Sequence, residues 1–321
     1  MKSLRLWLFL ALSLLLVPLA NAQTYPNKPI KIIVGYAPGG AVDIVARTVG
    51  QKMSVSLGQP VIVENKPGAG TNIAVRTLIE SAPDGYTLML SANALAANPS
   101  LYQPSPFIPE RDVAPISLVG RVPVVIATGA NSEFSTLANL VTAAKAAPGK
   151  INFATPGNGS TPHLAVELFA RAAGISLQHI PYRGGSPAII DVIGGQLPLV
   201  AVNALEVLPH VKAGKLRVLA VMSPGRTSIL PDTPTIAESG YSGFEAAVWY
   251  GFIAPAATPK EILTRLHAEV QKALASPEVI ERMASVGGEV LPGSREKFAA
   301  LVTSERQRYE KLIREAKLKP D

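Results

Sequence analysis

Lys31-Ile32-Ile33-Val34-Gly35-Tyr36-Ala37-Pro38-Gly39-Gly40 and Phe153-Ala154-Thr155-Pro156-Gly157-Asn158-Gly159-Ser160 are two stretches of one design. In each, an apolar strand-like run meets a Pro-Gly loop, and an amphipathic helical pattern follows. After the first, Val42, Val45, Ala46, Val49 and Met53 recur at helical spacing. After the second, Leu164, Ala165, Leu168, Phe169 and Ala172 do the same. Strand, loop and helix in that order aim backbone N–H groups past the strand end, where a helix N-terminus favours negative charge. Two such loops suggest two halves closing on one anionic ligand.

Strand-like and helical patterns alternate along the rest of the chain, which is the pattern of an α/β fold. Strands are expected at Val61–Val63, Tyr86–Leu90, Val122–Ala127, Ile151–Ala154, Leu197–Val202, Leu216–Met222 and Val248–Ala254. Helices are expected near Asn72–Ser81 and Leu137–Ala147, from Thr258-Pro259-Lys260-Glu261 as a capping box, and at the C-terminal end. Thr161 is the expected N-cap of the helix after the second loop, with Pro162 at its first position; Ser186 and Pro187 are expected to play the same parts one unit later. Prolines 99, 104, 106, 109 and 115 mark a loop-rich passage. A chain of 321 residues is expected to form more than one domain. The expected division is 23–122 with 247–321 as one α/β domain and 123–246 as the other. Two crossing strands would join them, with the ligand cleft between.

Lys2 and Arg5 precede an apolar run from Leu6 to Val17, and Ala20-Asn21-Ala22 is a small-x-small site. This is the anatomy of a secretory signal peptide over 1–22, cleaved after Ala22, and it predicts a periplasmic protein. The absence of cysteine removes disulfides, thiol nucleophiles and Cys-based metal ligation. The formal charge of +7 comes without a dense Lys/Arg block, so nucleic acid is not an expected partner. A modest positive field would instead attract small anions.

There is no Walker A loop, no dinucleotide fingerprint, no G-x-S-x-G elbow and no H-E-x-x-H in the chain. No metal, cofactor or catalytic residue is therefore expected. The candidate ligand contacts are Tyr36, Pro38, Gly39, Gly40, Ala41 and Asp43 from the first loop, and Pro156, Gly157, Asn158, Gly159, Ser160, Thr161 and His163 from the second. Ser91, Asn93, Tyr182 and Asn203, at or beyond strand ends, complete the set. Several of these have a structural reading as well. Asp43 would pair with nearby N–H groups or meet a ligand; His163 would donate to a ligand or fill a buried polar site; Asn203 would reach the cleft or cap a helix. Trp249 and Tyr250 read as packing on a crossing strand. A hydrolase built on Ser160 and His163 is the catalytic alternative, and the missing elbow weighs against it.

Taken together, these segments resemble one family along nearly the whole chain after the leader. The resemblance rests on Pro38-Gly39-Gly40-x-x-Asp43-x-x-Ala46-Arg47, Val63-Glu64-Asn65-Lys66-Pro67-Gly68-Ala69-Gly70 and Pro83-Asp84-Gly85-Tyr86-Thr87-Leu88. It extends through Gly159-Ser160, His163-Leu164, Glu167-Leu168-Phe169, Pro181-Tyr182-Arg183-Gly184, Ala213-Gly214-Lys215-Leu216-Arg217 and Trp249-x-Gly251. In this order they resemble the extracytoplasmic solute receptors of tripartite tricarboxylate transporters, the Bug proteins. The resemblance implies a type II-like periplasmic binding protein fold that binds a small carboxylate or related metabolite without chemistry on it. It implies that the loops Tyr36–Asp43 and Pro156–His163 grip a carboxylate from opposite sides. It also implies a monomer that docks on the large and small membrane subunits of a carrier; a sensor kinase is the alternative partner. The chain departs from the family at Ala41 and Val42, where many relatives carry Ser, Thr or Asn, and at Val202-Asn203, where relatives often have Phe-Asp.

Overall fold

The computed structural model describes residues 25–285 and 288–320. The signal peptide expected at 1–22 lies outside them. Among the described residues no helix is long and apolar enough to cross a membrane.

The first lobe opens with β1 (Ile30–Val34), α1 (Ala41–Leu57), β2 (Val61–Asn65), α2 (Asn72–Ile79) and β3 (Thr87–Ser91). β1 lies between β2 and β3, parallel to both. Two helices follow, α3 (Ala94–Leu101) and α4 (Pro109–Asp112), and then β4 (Val113–Gly129). The second lobe holds α5 (Leu137–Ala146), β5 (Asn152–Thr155), α6 (Thr161–Ala173), β6 (Gln178–Pro181), α7 (Gly185–Ile193), β7 (Leu199–Asn203), α8 (Ala204–Lys212) and β8 (Leu216–Val221). The chain then returns through β9 (Ala247–Pro255), α9 (Lys260–Leu274), α10 (Pro277–Ala284), β10 (Glu289–Val290) and α11 (Arg295–Ala316).

β4 belongs to both lobes. Residues Val113–Pro123 pair antiparallel with β9, and β9 pairs in turn with β3. From Val124 onward β4 pairs instead with β7 and β8, and β7 pairs with β5. The result is a two-domain α/β fold with a mixed sheet. Parallel strands flanked by helices put the ligand region at the strand ends, where β1 and β5 hand over to α1 and α6.

The apolar periodicity finds its place in the core. Val42, Val45, Ala46, Val49 and Met53 of α1 are all buried, as are Leu164, Ala165 and Phe169 of α6. Ala172 departs from the expected face and is exposed; Val166, Ala170 and Ala173 are buried instead. Three helix starts also differ. Ser160 caps α6, its Oγ accepting from the His163 N–H, so Thr161 and Pro162 occupy the first and second helical positions. α7 begins at Gly185, capped by Gly184, two residues before the expected pair. Thr258 forms no capping box: its hydroxyl donates to the Pro255 carbonyl, and α9 starts at Lys260.

Candidate functional site

The loop before α1 is held from within. Gly39, at φ 80°, donates its N–H to Asp43 Oδ2 at 3.0 Å. The same carboxylate takes Arg47 Nε at 3.0 Å, and its Oδ1 takes Asn65 Nδ2 at 3.0 Å. Asn65 also donates to the Tyr36 carbonyl, tying β2 to the loop. Burial pushes the Asp43 carboxyl up, but Arg47, the Gly39 N–H and Asn65 together hold it below its ordinary value. Asp43 is buried and fully occupied in this arrangement.

The loop before α6 repeats the backbone plan with a neutral acceptor. Gly159, at φ 70°, donates its N–H to His163 Nδ1 at 3.2 Å. That bond puts the ring proton on Nε2. The His163 ring stacks on His179 with centroids 3.9 Å apart, and His179 Nε2 meets Thr155 Oγ1 at 2.6 Å. Burial pushes His179 down to about 4, so that ring is neutral near pH 7. The hydroxyl of Ser160 is engaged as the helix cap by the His163 backbone, and His163 Nδ1 by Gly159. The Ser-to-imidazole hydrogen bond that a hydrolase would need is not what these two contacts make.

Where the loops face each other the lobes touch. The Ala37 N–H donates to the Arg183 carbonyl at 2.8 Å. A small cavity of about 20 Å³ lies beside this contact, between α1, α6, α7 and α8 and against β9. Of the candidate contacts, Tyr36, Gly40, Ala41, Pro156, Ser160, Thr161 and Asn203 line it. A larger cavity opens between the segment 67–71 and the second loop. It shares Tyr36 and Pro156 with the first and adds Gly157, Asn158 and Tyr182. The Tyr182 hydroxyl is turned to Asp191 at 2.5 Å.

Seven expected contacts line neither cavity: Pro38, Gly39, Asp43, Ser91, Asn93, Gly159 and His163. Gly39, Asp43, Gly159 and His163 build the loops. Ser91 Oγ donates to the Gly251 carbonyl, which fastens β3 to β9. Asn93 accepts from the Trp249 N–H and donates to the Tyr309 hydroxyl, which fastens the same corner to α11. Between them Ala92 faces the smaller cavity.

Glu206 and Tyr250 were not among the expected contacts, and both line the smaller cavity. Trp249 packs edge-on against Phe298, as the packing reading has it, whereas Tyr250 lines the smaller cavity. Glu206 is 8% exposed, and Asn203 Nδ2 donates to its Oε1 at 2.8 Å. Burial pushes its carboxyl up to about 7; the Asn203 amide and the backbone N–H groups of Ala41 and Asn203 act the other way. Burial, and after it the charge of Glu206, raises the hydroxyls of Tyr36 and Tyr250 above their ordinary range. The sequence signal for Glu206 is the run Asn203-Ala204-Leu205-Glu206, a cap residue followed three places later by Glu. Four buried polar atoms on residues that line the cavity make no close hydrogen bond: Thr161 Oγ1, Asn203 Oδ1, Tyr250 OH and Glu206 Oε2, the last with only the longer-range pull of the Ala41 N–H on its carboxyl.

The family model of the tripartite tricarboxylate transporter family receptor matches residues 45–318. Protein BugT of Bordetella pertussis is 38% identical over 303 residues, spanning 93% of this chain and 93% of that protein. The solved periplasmic binding protein BugD is 35% identical, with TM-score 0.88 over 92% of this chain and 100% of BugD. A Rhodopseudomonas palustris protein solved with adipate is 30% identical, with TM-score 0.88 over 92% of this chain and 100% of that one.

Proposed function

Because this chain belongs to the family of tripartite tricarboxylate transporter receptors, we propose that it captures a small carboxylate in the smaller cavity and delivers it to the large and small membrane subunits of a tripartite carrier. The observation that supports the ligand reading is the set of four buried polar atoms without a close hydrogen bond on residues that line one cavity from both lobes. A buried polar group without a partner costs about 1–3 kcal/mol, so such a wall favours a polar occupant. The carboxylate sits at the N-terminus of α6, where Thr161 Oγ1 would donate to it and the helix dipole favours its charge. The likeness to the adipate-bound relative supports this ligand class.

The protein binds and does not transform its ligand. The moving bodies are 23–122 with 247–321 and 123–246. The exchange of β4's partners between Pro123 and Val124 supports that division. Closure removes water from the cavity and strengthens each hydrogen bond to the anion; differential affinity for the closed form drives the change. The mature protein starts at Gln23 and works in the periplasm.

Titration calorimetry of the mature protein against a panel of mono- and dicarboxylates tests this. At least one acid binds, and Thr161→Val weakens it about tenfold or more, the effect of one lost hydrogen bond to a charged group, with the melting temperature unchanged. Undiminished affinity in that variant would overturn the placement of the carboxylate at α6. Silence across the panel would overturn the receptor reading.

A further inference from the structure

The smaller cavity is walled by two chemically different elements, and this inference rests on the receptor reading above. From α6 comes Thr161, at a helix N-terminus; from α8 come Glu206 Oε2 and Asn203 Oδ1, both buried and neither with a side-chain partner. These two atoms are acceptors. Asn203 Nδ2 is committed to Glu206 Oε1, which orients the amide oxygen away from that bond.

Glu206 cannot easily leave. It occupies the third position of α8, whose cap is Asn203, so the pair braces itself at the helix start. Gly185 backs it from α7: a Cβ there would collide with the Glu206 carboxylate. From the third side, a Cβ on Gly40 would lie 3.7 Å from Oε2, which sets the carboxylate beside the N-terminus of α1. The anion-favouring end of the first loop therefore already faces a carboxylate of the protein itself. A ligand with a second carboxylate would bring like charge against the ionised Glu206, or force it to take up a proton, in a space shielded from water.

We propose that the ligand is a monocarboxylate whose far end carries a hydrogen-bond donor (a hydroxyl, amide or ammonium group) and that Glu206 selects it. The donor end satisfies Glu206 Oε2 and Asn203 Oδ1, and the carboxylate lies at α6.

The test is calorimetry on the mature protein at pH 8 with sets of matched acids. One set is butanoate, 4-hydroxybutanoate, 4-aminobutanoate and succinate, with the five- and six-carbon homologues of each. A second is benzoate, 4-hydroxybenzoate, 4-aminobenzoate and terephthalate. The expected result is that the tightest ligand ends in a hydroxyl or amine and binds at least tenfold better than its matched dicarboxylate. Glu206→Gln, which places an amide donor where Oε2 stood, should cut that preference at least tenfold with the fold intact by circular dichroism. A dicarboxylate as the tightest ligand, or an unchanged preference in the Gln variant, overturns the inference and leaves the receptor reading standing. If no acid binds, the receptor reading falls and takes this inference with it.

Discussion

In the loop before α1 the Gly39 N–H is accepted by a carboxylate four residues on; in the loop before α6 the Gly159 N–H is accepted by an imidazole at the same spacing. Both glycines take a left-handed φ that a side chain would strain. The acceptors differ in charge and in their support. Asp43 is ionised and tied to Arg47 and Asn65. His163 is neutral at Nδ1 and supported by a stack on His179. The difference matters for function. The N-terminus of α1 has one carboxylate within its first turn and a second, Glu206, beside it across the cleft. The first turn of α6 contains no acidic residue. Of two helix ends alike in sequence plan, the one stabilised by a neutral ring is the better place for an incoming anion.

The strongest way to break this comparison is Asp43→Ala. It strands the Gly39 N–H and the Asn65 amide in a buried place and releases Arg47, so it should cost about 4 kcal/mol in urea unfolding. A loss below about 1 kcal/mol would mean that the first loop does not depend on its carboxylate.

The next effect is pH dependence, which should separate the loops. The His179 ring falls from its ordinary 6.5 to about 4 on burial. Its contribution is complete above pH 6.5 and is lost as pH falls toward 4, because the unfolded chain takes up the proton first; the full size is about 3 kcal/mol. The Asp43 carboxyl is shifted below its ordinary 3.8, so its contribution persists until lower pH. Melting curves from pH 7 to pH 4 should therefore show a decline that His179→Phe flattens and Asp43→Asn does not. An equal decline in the Phe variant would remove His179 as its source. The smallest effect is Ser160→Ala, which deletes the cap of α6 and should cost about 1 kcal/mol by the same unfolding assay. The helix α1 has Gly40 at the cap position and no such bond to lose.

Much of the architecture was legible because hydrophobic spacing and loop chemistry are local. The buried stripe of α1 and both Pro-Gly loops fall where the residues place them. α3 was not legible, because Pro99 sits inside it and reads as a breaker. β4 runs further than its apolar run because Pro115 and Pro123 are accommodated in it, with a register shift beside Pro115. At the site, the hydroxyls and amides were legible as types, but not their direction. Ser91 and Asn93 turn into the β3–β9–α11 corner, and the intervening Ala92 reaches the cavity.

The sequence by itself determined the alternation of strands and helices, the two glycine loops and the absence of metal-binding and nucleophile-elbow motifs, since each depends on residues near one another in the chain. Only the tertiary structure decided which groups line the cavity. Glu206 lies far along the chain from Gly40 and reads locally as part of a helix cap. It becomes a wall of the cavity because α7 and α8 bring it against the start of α1, and a close approach between distant helices leaves no local trace in the sequence.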